Sequence, residues 1–412
     1  MANIPTIVTY IFLFISLNFE IFLLITYFER RGDMKEEENL VNSLKSYPTV
    51  AVIVPCWNEE KTISGTLHSL LNLDYPKNKL KIIAVDDGST DGTWSILENF
   101  KNKNQIEIYK KENGGKHSAL NLGLSKVNSD LVGCLDADSF VEKDALRHIV
   151  SYFQDKKVMA VAPSVKLWRP KGIFELLQKV EYSFGIFTRK MFHFMQAVYI
   201  TPGPFSIFRR EVFQKIGGYR HAHGTEDIDI ALRMQKNHLK IAHAHKAIVH
   251  TVPPQTIKGL YKQRVRWSYG FVQNAFDHRE LFFKKQYGNL GLLVLPMASI
   301  SIISLISTAT LSVYNLFKIV FKQYTRFEAI GFNFHKTPFD WFYINTQSII
   351  FISIVSFFGI LTILLLSRKM ADGKFSVGMD LIYYLALYIF IAPIWYSKAI
   401  YNSIFSIETK WR

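Results

Sequence analysis

The stretch LKIIAVDDGSTDG, residues 80–92, decides the fold. An apolar, β-rich run ends in two adjacent acids, Asp86 and Asp87, and then enters Gly88, Ser89, Thr90, Asp91 and Gly92, all residues that favour turns. A helix-like segment follows at 91–100, so the unit is strand, acidic turn, helix. Working outward, residues 49–55, 106–109 and 130–135 are runs of the same kind, and 60–73 and 118–127 are helix-like separators. The alternation predicts a largely parallel, doubly wound sheet, in which ligands lie beyond the carboxyl ends of the strands. Chemistry should therefore follow each apolar run.

After the first run comes Pro55-Cys56-Trp57-Asn58-Glu59-Glu60. Asn58 can cap the next helix and Trp57 can cover a flat ring, although an ordinary cap with a packed Trp explains them equally. At the second run, Asp86 and Asp87 read as carboxylates for a nucleotide base or ribose, against a plain turn in which Asp91 caps the following helix. At the fourth, Leu135-Asp136-Ala137-Asp138 offers two hard oxygen ligands suited to Mg²⁺ or Mn²⁺. Such an ion needs only one or two protein carboxylates beside substrate phosphate oxygens and water. A bare D-x-D also arises by chance.

Gly114-Gly115-Lys116-His117-Ser118 places glycines and a cation before a helix start, a geometry for phosphate or simply a solvated turn. The Walker A spacing is absent, which argues against a P-loop ATPase. Further on, Thr225 can cap the helix that opens with Glu226, Asp227 and Asp229, and first-turn acids suit the dipole, but capping does not account for the whole cluster. Gln263-Arg264-Val265-Arg266-Trp267 lies in a basic, aromatic stretch, 261–271, compatible with an interfacial helix, for which lipid-surface binding is explanation enough. Residues 201–205 precede Arg209 and Arg210 and can border an acceptor, or be a cis-Pro turn or strand ending. His243, His245 and His250 alternate among apolar neighbours without a matching Cys or carboxylate pattern, so no zinc role is assigned.

The 412 residues are 49% apolar, and that apolar share is concentrated at both ends. Residues 4–28 hold one charge, Glu20, and exceed the roughly 20 helical residues that cross a hydrocarbon core. With no Lys or Arg before Glu29, this reads as a retained anchor rather than a cleaved signal. Arg30, Arg31 and Lys35 then place the following segment in the cytoplasm. Residues 290–317, 344–367 and 381–404 are further spans, four in all. Arg368, Lys369 and Lys374 fit an inner loop, which leaves Lys318, Lys322, Arg326 and Lys336 outside. An alternative makes 318–343 interfacial or re-entrant, since Phe332, Phe334, Phe339, Trp341, Phe342 and Tyr343 suit a headgroup boundary.

A net charge of +15 favours anionic partners, and the spans point to lipid and phosphate rather than nucleic acid. Glu20 should face another span, water or a small membrane subunit. Cys56 and Cys134 read as buried free thiols. No internal repeat or low-complexity linker is present, so the expected organisation is an anchor at 1–28, a polar linker at 29–47 with acids at Glu36, Glu37 and Glu38, one α/β domain at 48–255, an interfacial segment at 256–289 and a membrane region at 290–412.

In this order, Asp86-Asp87-Gly88-Ser89, Asp136-x-Asp138, Thr225-Glu226-Asp227 and Gln263-x-x-Arg266-Trp267 closely resemble the motif set of processive family-2 glycosyltransferases, over about residues 48–267. The flanking spans are similar to the layout of cellulose, chitin and hyaluronan synthases, and length and arrangement look most like the bacterial poly-β-1,6-N-acetylglucosamine synthases. The resemblance implies an α/β GT-A (nucleotide-diphospho-sugar transferase) cytosolic domain with α-helical transmembrane segments, multi-pass in the plasma membrane. It implies that Asp87, with Asp86 nearby, holds uridine, that Asp136 and Asp138 hold UDP and its Mg²⁺ or Mn²⁺, and that Asp227 is the base. Gln263, Arg266 and Trp267 would close over the diphosphate and acceptor end, and Lys116 would match the Lys of the nucleotide loop.

The candidate set is thus Thr225, Glu226 and Asp227 as catalytic residues. Asn58, Asp86, Asp87, Lys116, Asp136, Gln263, Arg266 and Trp267 are the substrate-binding candidates, and Asp136 and Asp138 the metal ligands. The implied activity is processive, inverting polymerisation of N-acetylglucosamine from UDP-N-acetylglucosamine into a β-1,6-linked exopolysaccharide of the biofilm type. The growing polysaccharide, membrane lipid and a small membrane subunit are the implied partners. Another membrane polysaccharide synthase is the nearest alternative. A lipid-phosphate glycosyltransferase shares the first two acidic motifs, but Gln263-x-x-Arg266-Trp267 argues against it. A transporter would leave the acids as surface residues, which their order at strand ends disfavours.

Overall fold

The computed structural model describes residues 4–101, 103–331 and 348–407. Its strands in chain order are β1 (Val50–Cys56), β2 (Leu80–Asp86), β3 (Ile106–Lys110), β4 (Leu131–Cys134), β5 (Ser139–Val141), β6 (Val158–Leu167), β7 (Ile207–Arg209) and β8 (Lys240–Thr251). The helices are α1 (Ile4–Glu29), α2 (Arg31–Asn39), α3 (Ile63–Leu71), α4 (Thr93–Glu98), α5 (Lys116–Ser125), α6 (Ala145–Tyr152) and α7 (Ile173–Phe194). They continue with α8 (Arg210–Ile216), α9 (Glu226–Lys236), α10 (Ile257–Asp277), α11 (Leu295–Ile330), α12 (Ser348–Asp372) and α13 (Met379–Ile404).

β1 is buried along its whole length because both faces of the sheet are covered. Val50, Val52 and Val54 join one apolar cluster, while Ala51 and Ile53 join the cluster on the opposite face, as the two-residue period of a strand requires. α5 lies close on that second face: a Cβ at Gly123 would stand 2.4 Å from Cγ2 of Ile53.

The sheet runs β3-β2-β1-β4-β7-β6-β8-β5. Its first four strands are parallel, as the alternation predicts. Beyond β4 the prediction fails, because β7 is antiparallel to both β4 and β6, and β5 is antiparallel to β8. The physical reason lies at β4. Its end does not feed a crossover helix but turns at once into β5, with the Ser139 amide donating to the Asp136 carbonyl at 3.0 Å. The result is a mixed sheet whose carboxyl-end rim carries the acids.

Among the described residues four helices are long and apolar enough to cross a membrane: Thr6–Glu29, Leu290–Ala329, Ser348–Asp372 and Met379–Ile404. The second begins with a π-helical turn, Leu290–Val294, and runs unbroken through α11. Lys318, Lys322 and Arg326 therefore sit on a continuing helix rather than a re-entrant segment, and Phe332, Phe334, Phe339, Trp341, Phe342 and Tyr343 lie outside the described residues. Glu20 meets another span, accepting from Ser356 of α12 at 2.8 Å and from its own neighbour Ser16 at 3.1 Å. Cys56 and Cys134 are buried free thiols.

α7 ties the sheet to the spans: Phe187 and Met191 share a cluster with Leu23 and Tyr27 of α1 and Ile363 of α12. The acidic linker is also docked. Glu37 of α2 accepts from Lys190, from His193 at 2.9 Å and from Tyr152 at 3.1 Å, and Glu38 meets His245 at 3.0 Å. Sequence reading has these acids only as part of a polar linker, because their partners lie more than a hundred positions away.

Candidate active site

The β1 and β2 ends build a scaffold. Asn58 adopts φ 54°, a left-handed conformation that Asn tolerates. Its side-chain oxygen accepts from the Thr90 amide at 2.8 Å and its own amide donates to Ser89 Oγ at 3.0 Å. Asn58 therefore clamps the turn after β2 and does not cap α3, whose N-cap is Thr62. Asp86 is fully buried: one oxygen accepts from the Ser89 amide at 3.1 Å, and the other has no hydrogen-bond partner among the described residues. Asp87 accepts from Lys111 at 2.8 Å and from the amides of Gly114 at 3.1 Å and Gly115 at 2.8 Å. Gly115, at φ 84°, needs the freedom only glycine has, so this loop hands the chain into α5 with Lys116 at its first turn. Asp91 accepts from Thr93 Oγ1 at 2.6 Å and from the Thr93 amide at 3.0 Å, the plain turn role.

The reactive cluster lies where β4 and α9 meet that loop. The Lys116 ammonium is 2.7 Å from both Asp136 and Glu226. Burial opposes its charge, but Asp136 and then Glu226 outweigh it and hold the ammonium protonated well above the usual lysine range. Asp138 is pushed up to about 7, first by burial and then by Asp136 and Glu59. Asp227, next to Glu226 in the first turn of α9, is pushed up to about 6, again by burial and then by Glu226. Glu226 is held below the usual range: burial works against this, and Lys116 overcomes it.

Loop 201–205 belongs to this cluster. The Asp227 carbonyl accepts from the amide and hydroxyl of Thr201 at 3.2 and 3.1 Å, and a Cβ at Gly203 would stand 2.7 Å from Lys116 Nζ and 3.0 Å from Asp136. Among the described residues no peptide bond is cis, so the cis-Pro alternative for this loop falls away.

Helix α10 closes the other side. Arg266 donates to the Gly224 carbonyl at 2.9 Å, and Gly270 comes so near Thr225 that a Cβ there would be 2.3 Å from Oγ1. Thr225 holds the N-cap position of α9, yet its hydroxyl makes no cap bond. It donates to the Ala222 carbonyl at 3.1 Å and accepts from Asn274 of α10 at 2.9 Å. Its task is to join α9 to α10. Gln263 and Trp267 are half-buried, the first accepting from Arg264 at 2.8 Å and the second lying beneath the Arg264 guanidinium at 4.3 Å.

The structure thus brings Lys116, Asp136, Glu226 and Asp227 together, flanks them with Asp138, Thr225 and Arg266, and leaves Asn58, Asp86 and Asp87 as supports behind. Sequence reasoning missed Lys111, Arg264 and Asn274. A basic residue just before the Gly114-Gly115 turn was the available signal for Lys111; the others have partners far along the chain.

Among the described residues no group of three or more His, Cys, Asp or Glu is placed to enclose a metal. The two carboxylates of Asp136 and Asp138 fit a hard dication that completes its shell with water and phosphate oxygens, and crowded acids are what such a charge relieves.

An α/β sheet with acids, a lysine loop and a raised aspartate along its carboxyl-end rim is the arrangement of a GT-A nucleotide-sugar transferase. Residues 48–270 match the model of the glycosyltransferase like family 2, and the chain belongs to that family. It is 27% identical over 334 residues to a poly-beta-1,6-N-acetyl-D-glucosamine synthase of Staphylococcus epidermidis, covering 80% of this chain and 77% of that one. It is 33% identical over 224 residues to the synthase of the same name from Staphylococcus aureus strain COL, a match that spans about half (54%) of each chain. In fold it is similar to a mannosyltransferase from Pyrobaculum calidifontis solved with GDP-Man and Mn²⁺, with a TM-score of 0.58 at 18% identity over 94% of this chain and 99% of that one.

Proposed function

We propose that this glycosyltransferase is a processive, inverting synthase that transfers N-acetylglucosamine from UDP-N-acetylglucosamine to the end of a β-1,6-linked polysaccharide. The names of the staphylococcal relatives support the donor and linkage. The observation that carries the chemistry is the cluster in which Lys116 reaches both Asp136 and Glu226 at 2.7 Å, with Asp227 adjoining. In this reading Asp136 and Asp138 serve the leaving group and Asp227 accepts the proton.

The acceptor hydroxyl attacks the anomeric carbon, the bond from that carbon to the diphosphate oxygen breaks, and Asp227 takes the hydroxyl proton. Single in-line displacement converts an α-linked donor into a β-linkage, so no carboxylate is needed as a covalent carrier. Asp136 and Asp138 would hold Mg²⁺ or Mn²⁺, which when bound neutralises charge on the departing diphosphate. Lys116, now paired with two acids, adds a cation beside the same phosphates. Asp86 and Asp87 act on the uridine side, Asp87 by holding the 114–115 amides in place. Gln263, Arg266 and Trp267 cover the diphosphate and acceptor end, with the Trp267 ring offered to a sugar face. The domain works on the cytoplasmic side of the plasma membrane, among anionic lipids, and a small membrane subunit completes the export path beside the four spans.

The test is UDP release from a panel of UDP-sugars by membranes carrying the chain, with Mg²⁺ or EDTA, beside Asp227→Asn. Metal-dependent turnover of UDP-N-acetylglucosamine into polymer cleaved by a β-1,6-specific hydrolase, lost in the variant, is expected. Turnover of another UDP-sugar alone, or a product resistant to that hydrolase, overturns the donor or the linkage.

A further inference from the structure

Arg264 stands inside the Gln263-x-x-Arg266-Trp267 segment, yet the acid it pairs with is Glu181, outside the cluster described above. Arg264 is 3% exposed, on helix α10, which packs against α13. One guanidinium nitrogen donates to Gln263 Oε1 at 2.8 Å, another pairs with Glu181 of α7 at 2.7 Å, and the guanidinium carbon lies 4.3 Å from the centroid of the Trp267 ring. The third nitrogen, Nε, is buried with no hydrogen-bond partner among the described residues. Glu181 continues the chain of contacts into the membrane region, since its other oxygen lies 3.5 Å from the hydroxyl of Tyr388 on α13. Tyr388 in turn stacks on Tyr384 at 4.5 Å and meets Trp395 edge-on at 5.9 Å.

An ion pair buried only on its Arg264 side, with Glu181 half-buried and one guanidinium N–H left unsatisfied, is a poor stability device, because solvent screens its attraction while the buried cation is still desolvated. What this pair does achieve is geometric. The planar guanidinium fixes two side chains at once, Gln263 by a hydrogen bond and Trp267 by stacking, and Glu181 fixes the guanidinium.

We propose that Arg264 and Glu181 are positioning residues: they hold Gln263 and Trp267 in one attitude at the acceptor end and, through Tyr388, tie that attitude to span α13, so that the growing chain stays seated between additions. The inference rests on the polymerising function proposed above. It predicts an effect on oligomer affinity and on product length that exceeds any change in donor KM.

The experiment uses the full chain in lipid nanodiscs, with a labelled β-1,6-linked N-acetylglucosamine oligomer as the probe. Its dissociation constant is measured directly, and donor KM, kcat and product-length distribution are measured under turnover. Arg264→Lys keeps the charge but loses the planar stack, and Glu181→Gln keeps the shape but loses the charge. Each should weaken oligomer binding about tenfold, the scale of a misoriented binding group, and shorten the product, with a smaller change in donor KM. Tyr388→Phe should shorten the product to a smaller degree. A purely structural role would lower kcat in proportion to folded protein and leave oligomer affinity and product length unmoved, and that result overturns the proposal, as does an unmodified chain that binds no oligomer. An unmodified chain that binds the oligomer and responds to both substitutions, yet turns over no UDP-sugar, sinks the proposed activity and leaves the positioning role standing.

Discussion

Asp227 is the residue on which the proposed chemistry turns, because only its ionised form can take the acceptor proton. Burial and the neighbouring Glu226 raise its carboxyl to about 6. Below that pH it is protonated and idle, so kcat/KM should climb as pH rises through about 6 and level off above; a profile flat down to pH 5 removes Asp227 as the base. Asp227→Asn should lower kcat by about 10²–10⁴, the usual worth of a general base, with donor KM little changed in a UDP-release assay. Gly203 gives a second test at this scale. A Cβ there would crowd Lys116 at 2.7 Å and Asp136 at 3.0 Å, so Gly203→Ala should raise donor KM roughly tenfold by displacing both groups, while the fold survives. Measured donor KM equal to that of the parent would place the loop outside the donor site. Asp86, Asp87, Asp136 and Asp138 were legible in the sequence because they close apolar runs, where an α/β sheet collects its ligands, and Glu226 and Asp227 because a helix start does not need so many acids. Asn58 and Thr225 were misread as caps because a helix start is the local explanation, whereas their actual partners, Thr90 and Asn274, are set by tertiary packing.

At the scale of elements, the parallel half of the sheet was legible because its strands are separated by helices of ordinary length, and β5 to β8 were not, because the direct turn after β4 breaks that rhythm. The linker shows the same limit. In the sequence Glu36, Glu37 and Glu38 are only part of a polar linker, but Glu37 neutralises Lys190, which is completely buried in α7 and also donates to the His243 carbonyl at 3.2 Å. Removing one member of a buried pair leaves the other charge uncompensated, at a cost of about 3–5 kcal/mol. Glu37→Gln should accordingly lower the thermal unfolding midpoint of the detergent-solubilised chain, and adding Lys190→Met should restore most of it. If Glu37→Gln unfolds at the parent temperature, α2 is a tether only and the spans are positioned by α7 alone.

For the whole molecule, the question is which side of the membrane the sheet occupies. The carboxyl end of α1 enters α2 and so the sheet, α11 starts against it, and the turn from α12 to α13 touches it through Asp372, 3.4 Å from Lys166 of β6 and 3.6 Å from Lys179 of α7. Arg30, Arg31 and Lys35 therefore share a side with Arg368, Lys369 and Lys374, and the positive-inside tendency supports the proposal that this side is the cytoplasm. The second candidate span, of 40 residues, is about 60 Å long at roughly 1.5 Å per residue, twice the roughly 30 Å of a hydrocarbon core. In that orientation Lys318, Lys322 and Arg326 would stand beyond the far face of the membrane on an emergent helix, where an outer basic cluster costs little desolvation. Cysteine labelling reads this directly, since Cys56 and Cys134 are 1% and 4% exposed and should stay silent in the folded protein. With a membrane-impermeant maleimide on intact cells, Lys322→Cys should label and Glu112→Cys should label only after permeabilisation. The opposite pattern would put the sheet outside. The polymer would then need no path across the membrane, and the donor would have to be exported to reach Asp136.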